Sequence, residues 1–136
     1  MSDSERPPVG TILHFDLTVD DAPSIRDFYT SVVGWEIEDM DMGDYQDYVL
    51  TSPTTGAWVG GVCHARGDNA DLPPQWLMYV QVDDLEASLQ RCLDGGGIVI
   101  TGIRGEPGSQ YAVIQDPAGA VLALMQQDAF PEEAKG

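Results

Sequence analysis

A chain of 136 residues in which 43% are hydrophobic can bury one domain-sized core and carries too much apolar content to stay disordered. Its 23 acids against 6 bases, a net charge of −17, exclude nucleic acid as a partner, because the phosphates would be repelled. No run approaches the roughly 18 apolar residues of a membrane span, and the polar start Met1-Ser-Asp-Ser-Glu-Arg-Pro-Pro8 lacks the basic and apolar regions of a secretory signal. A cytoplasmic protein with no membrane partner is therefore expected. In that setting Cys63 and Cys92 are reduced thiols, and with no C-x-x-C pair they do not form a cysteine-based zinc site. The acids are read as a solvating surface of the kind that suits a salty cytoplasm, or in part as the lining of a groove for a cationic ligand.

Residues 1–9 form a flexible lead-in containing Pro7-Pro8. Residues 11–19 alternate as a strand, with Leu13, Phe15, Leu17 and Val19 on one face and Ile12, His14, Asp16 and Thr18 on the other, the polar face meeting solvent or a cavity. Asp20-Asp21 opens a helix with Pro23 in its first turn, and Ile25, Phe28, Tyr29, Val32 and Val33 follow the spacing of a buried stripe up to the stop at Gly34. An exposed strand over 35–42 follows, then strands over 45–51 and 57–64 that form a hairpin around Pro53. Residues 65–75 have linker composition.

The second half repeats this order. A strand over 76–82 leads into Asp83-Asp84 as Val19 leads into Asp20-Asp21, and Leu85, Leu89, Cys92 and Leu93 make the helix stripe before Gly95-Gly96-Gly97. That glycine run follows a helix instead of opening one, so it reads as a helix stop and not as a phosphate loop. Residues 98–103 are the next strand, Gly105-Glu-Pro-Gly108 a turn, and 111–126 two strands joined by Asp116-Pro117-Ala118-Gly119, answering Pro53 and Gly56 of the first half. The organisation is a lead-in over 1–9, one domain over 10–127 with a first βαβββ module over 10–64, a linker over 65–75 and a second module over 76–127, and a tail over 128–136.

This doubled βαβββ pattern, with Phe28-Tyr29 before Val32-Val33-Gly34-Trp35, Val82-Asp83-Asp84 at the second helix start and Asp116-Pro117-x-Gly119, resembles the vicinal oxygen chelate superfamily of glyoxalases, bleomycin-resistance proteins and extradiol dioxygenases, in particular its glyoxalase-like subgroup. The resemblance covers about residues 10–126 and implies an α+β fold: two tandem modules forming a U-shaped mixed sheet around a cleft, with helices on the outer face. It also implies metal-ligand positions, which fall on His14, Gly60, Leu77 and Ala123. One imidazole cannot supply the three or four donors at about 2.0–2.3 Å that zinc or nickel needs. No cofactor is expected, and a divalent metal held by His14 with Asp16 or His64 is the alternative.

Strand alternation aims His14, Asp16, Trp58, Tyr79, Gln81, Val121, Ala123 and Met125 into the cleft, with Gly60 and Leu77 at positions the resemblance marks and Tyr48 and Tyr111 opening the two hairpins. An aromatic, weakly polar pocket suits a small organic ligand. The resemblance then implies a glyoxalase-like small-molecule enzyme, or a relic of one: a lyase, isomerase or dioxygenase-like member in which His14, oriented by Asp16, exchanges protons with the substrate while Tyr79 or Tyr111 donates hydrogen bonds. The alternative is a metal-free binder that sequesters a flat cationic ligand, similar to bleomycin-resistance proteins. Cys63 neighbours His64 along a strand, so the two side chains face opposite ways and no thiol catalysis is expected. A homodimer is implied by the resemblance and by an open sheet edge.

Overall fold

In a computed structural model of the chain, residues 6–66, 70 and 72–128 are described; 1–5 of the lead-in, 67–69 and 71 of the linker, and 129–136 of the tail lie outside the described residues. The element order is β1 (Ile12–Val19), α1 (Ala22–Val33), β2 (Glu36–Asp41), β3 (Gln46–Thr51), β4 (Trp58–His64), β5 (Trp76–Gln81), α2 (Leu85–Asp94), β6 (Ile98–Val99), β7 (Arg104–Glu106), β8 (Ser109–Gln115) and β9 (Val121–Gln127). The class is α+β with mixed sheet, as expected. The chain divides into two compact units, one made by residues up to His14 together with Leu77 onward, the other by Phe15–Trp76.

In the Phe15–Trp76 unit the strand order is β2-β3-β4-β1, antiparallel except for the parallel β1–β4 pair. Its core is Ala22, Tyr48, Leu50 and Val62, with Ile25, Trp35, Ile37 and Trp76 packed against it. The caps of α1 follow from local chemistry: the Asp21 carboxylate accepts from the Ser24 N–H at 3.2 Å, and Gly34 ends the helix at φ 92°. The expected buried stripe is corrected. Phe28, Val32 and Val33 are 54%, 62% and 51% exposed, so α1 rests on the sheet through Ala22 and Ile25 and turns these apolar residues outward.

In the other unit β5 runs parallel to β9, β9 pairs antiparallel with β8, and β6 and β7 both pair with β8. Leu85 of α2, Ala112 and Leu124 form the core, joined by Val82, Leu89, Ile114 and Leu122. Of the α2 stripe, Leu93 is turned out, at 52% exposure. The start of β1 joins β5 through Gly10 N–H to Gln81 O and Gln81 N–H to Thr11 O, each 2.9 Å. Arg6, within the expected lead-in, donates to the Asp83 carbonyl at 2.8 Å.

The strand expected over 98–103 shortens to β6 at Ile98–Val99, and a second short strand, β7, begins only at Arg104. Ile100 N–H and Thr101 N–H both donate to Val113 O, at 2.8 and 3.2 Å, and the Thr101 hydroxyl accepts from Val113 N–H at 3.0 Å. A side chain thus replaces a ladder bond, the register breaks, and pairing resumes at Arg104, using part of the expected Gly105–Gly108 turn.

The two proline turns match in mechanism as well as in sequence. Asp116 Oδ1 accepts from Ala118 N–H at 2.8 Å and Ala120 N–H at 3.0 Å, while Gly119 sits at φ 98°. Ser52 Oγ does the same work more weakly for Thr54 and Thr55, each at 3.3 Å, with Gly56 at φ 75°.

Candidate functional site

The register of the unit containing Leu77 onward sorts its strands into two faces. One packs under α2. The other carries Tyr79 opposite Ala123, Gln81 opposite Met125, and Tyr111 opposite Met125. The His14 ring lies nearly flat on Tyr79, with centroids 4.3 Å apart and planes at 15°, and Tyr111 meets Tyr79 edge-on at 5.7 Å. Offset aromatic pairs of this kind hold their rings in place beyond simple area burial. Leu77, Tyr79, Gln81, Ala123 and Met125 are all buried. Gln81 is a clasp: its amide donates to Gln127 O at 3.0 Å and accepts from Gln127 N–H at 3.1 Å, so both ends of the side chain hold strands together.

Asp16, Tyr48, Trp58 and Gly60 belong to the Phe15–Trp76 unit. Trp58 begins β4 and is half-buried. Tyr48 is buried in the core with Leu50 and Val62, and the Arg26 guanidinium lies 4.7 Å over its ring. Asp16 is opposite Gly61 on the face turned away from that core, and with Asp47 it confronts Cys63. Burial first, and these two carboxylates second, push the Cys63 thiol well above its ordinary range, which makes it a poor nucleophile.

Gly60 is set by backbone contact. A Cβ there would run into the carbonyl of Phe15, so neither a carboxylate nor any other side chain fits without moving β1 from β4. Among the described residues no three His, Cys, Asp or Glu side chains come together as a metal ion would require. Of the four positions that the resemblance marks, His14 alone carries a metal-ligating side chain, beside Gly60, Leu77 and Ala123.

One constellation was missed in the sequence. Asp47, buried at 6% exposure, accepts at Oδ1 from the His64 backbone N–H at 2.9 Å and lies 3.2 Å from His64 Nδ1. With Nδ1–H turned to this carboxylate, the other ring nitrogen of a neutral His64 is an acceptor. Tyr45 stands edge-on to the His64 ring at 5.3 Å. A cavity of about 460 Å³ opens here, lined by Asp41, Asp44, Tyr45, Tyr48 and His64 among others. A second cavity of about 360 Å³ is apolar, between Leu17, Ile25, Phe28, Tyr29 and Trp76, where Trp76 Nε1–H donates to the Tyr29 hydroxyl at 3.2 Å. The dyad depends on a β-bulge between Leu50 and Thr51. With it Tyr48 faces Val62, which puts Asp47 beside Cys63 and within reach of His64. Without that extra residue Asp47 would fall opposite Val62, on the core face.

Comparison with known proteins agrees with this fold. The family model described as Glyoxalase/Bleomycin resistance protein/Dioxygenase superfamily matches residues 11–124. The protein CFP32 of Mycobacterium bovis, whose name proposes a glyoxylase, is 30% identical over 120 residues, covering 86% of this chain and 46% of that protein. The anthracycline biosynthesis protein DnrV of Streptomyces peucetius is 30% identical over 129 residues, covering 83% of this chain and 46% of its own length. The chain thus spans about half the length of the curated relatives it matches. Among solved structures, methylmalonyl-CoA epimerase from Mycobacterium tuberculosis superposes with a TM-score of 0.56 at 17% identity, covering 88% of this chain and 89% of that one, a likeness of fold alone. With a βαβββ arrangement followed by a βαββββ one and a family match over nearly its whole described length, the chain belongs to the glyoxalase/bleomycin resistance protein/dioxygenase superfamily.

Proposed function

We propose that the chain is a small-molecule enzyme of this superfamily, or a retired one, that works without the usual metal, with His14 exchanging protons with a substrate held against Tyr79 and Tyr111. The observation that carries this reading is the His14 ring stacked flat on Tyr79, which fixes the imidazole on an aromatic surface suited to a planar organic ligand. The metal-free part is supported by the collision that any side chain at Gly60 would meet and by the apolar Leu77 and Ala123. Acid–base exchange at one positioned side chain contributes about 10²–10⁴-fold to a rate. The His14→Ala variant is expected to lose turnover by about that factor against whichever small carbonyl or thioester compound the wild type converts. Unchanged turnover would overturn the catalytic role. Unchanged ligand affinity beside lost turnover would separate catalysis from the alternative, a binding protein, in which His14→Ala weakens affinity only modestly and no turnover exists to lose.

A further inference from the structure

The cavity beside the Asp47–His64 pair is not used by that reading, and all its residues lie in the Phe15–Trp76 unit. Its rim is a fixed hairpin. Met42 N–H donates to Tyr45 O at 2.9 Å, Gly43 N–H donates to Asp41 Oδ1 at 2.9 Å, and Gly43 adopts φ 103°. The Tyr45 ring is thereby held edge-on to His64, which Asp47 holds in turn.

Two of the lining rings already carry cations from the chain itself. The Arg66 guanidinium carbon sits 4.0 Å from the Tyr45 ring centroid, with Nη2 3.8 Å from Asp44 Oδ2, and the Arg26 guanidinium sits 4.7 Å from the Tyr48 centroid. A planar delocalised cation over a π face with a carboxylate at its edge is favourable chemistry wherever it recurs. Asp41 and Asp44 supply that carboxylate edge, and the His64 ring, held by Asp47 at Nδ1, lines the same cavity. The net charge of −17 raises the local concentration of any cation.

We propose that this cavity is a binding site for a small planar organic cation, a guanidinium or amidinium carried on an aromatic body, and that Arg66 is its tethered competitor. Arg66 engages Tyr45 and Asp44, two groups the ligand needs, and its side chain is 46% exposed, so it can be displaced at small cost.

The test uses benzamidine as the probe and neutral benzamide as its isostere, followed by amide chemical shifts in the whole protein at about 0.15 M ionic strength, where long-range attraction is screened. Saturable shifts centred on Tyr45 and His64 with benzamidine but not benzamide are expected. Arg66→Ala should tighten binding about three- to tenfold, the effect of removing one exposed cation–π and ion-pair competitor. Tyr45→Ala should abolish the shifts, and Asp44→Asn, at a side chain 82% exposed and so harmless to folding, should weaken binding without unfolding the protein. No saturable shift in either wild type or Arg66→Ala would overturn the proposal. So would equal shifts with benzamide, weaker binding in Arg66→Ala, or indifference to Asp44→Asn.

Discussion

Replacing Asp47 by alanine gives the sharpest check on the local structure. Its carboxylate is buried and accepts two hydrogen bonds at one oxygen, from the His64 N–H and from His64 Nδ1. Hydrogen bonds to a charged group contribute about 1.5–3 kcal/mol, and a buried donor left without an acceptor costs about 1–3 kcal/mol. The two descriptions overlap, because losing the bond and orphaning the donor are one event. The Cys63 thiol, protonated at neutral pH, also hydrogen-bonds to this carboxylate, so its removal returns nothing there. The expected net loss is about 2–3 kcal/mol for Asp47→Ala. Asp47→Asn, which keeps an amide oxygen for the backbone N–H, should lose about half of that. Urea unfolding at neutral pH, with the slope compared across variants to confirm that the same surface is exposed, measures both. A loss below about 0.5 kcal/mol in Asp47→Ala, the range of an ordinary surface change, would refute the buried bonding drawn here.

Three further outcomes follow from other parts of the fold. The Cys63 thiol is raised above its ordinary value of 9.0, by burial and then by Asp16 and Asp47, so its contribution to stability is complete below that pH and is lost as pH rises through and beyond it. Unfolding titrations should therefore show an alkaline decline that Cys63→Ala removes, and an identical decline in the variant would contradict the assignment. Gly60→Ala drives a methyl into the Phe15 carbonyl and should cost more than about 3 kcal/mol, read as lost soluble yield or a lowered urea midpoint; near-wild-type stability would show that β1 and β4 do not approach as closely as described. Val32→Lys, at a position 62% exposed, should change stability by less than about 0.5 kcal/mol, whereas a loss near 2 kcal/mol would mean that this face of α1 is covered.

The homodimer stands as an expectation on which β2 places a physical condition. This strand ends the order β2-β3-β4-β1 and carries Glu36, Glu38, Asp39 and Asp41, so two copies meeting there would set like charges against each other. A monomer mass by light scattering at micromolar concentration, unchanged by added salt, would dismiss a dimer altogether.

Several elements were legible in the chain because their bonds close within a few residues. Asp21 and Asp84 cap their helices, Gly34 stops the first, and Asp116 and Ser52 build matching turns, all through contacts between neighbours in sequence. The alternation that put Tyr79, Gln81, Ala123 and Met125 on a shared face needed only the strand period of two, and the register agrees.

What sequence pattern could not decide was which of several similar surfaces wins when elements pack. Apolar spacing marked Phe28, Val32 and Val33 for burial, yet α1 settles on Ala22 and Ile25, because a helix can rotate about its axis until the best-fitting residues meet the sheet. Gly60, at a position the resemblance marks, is also the close approach of β1 and β4, which no local pattern announces. The Asp47–His64 pair depends on one bulged residue at Leu50/Thr51, and a shift of a single residue moves every side chain of a strand to the opposite face. Local sequence determined the caps, turns and strand faces through short-range hydrogen bonds and steric limits. Register, helix rotation and backbone approach were decided by the tertiary structure, since each depends on partners many residues away.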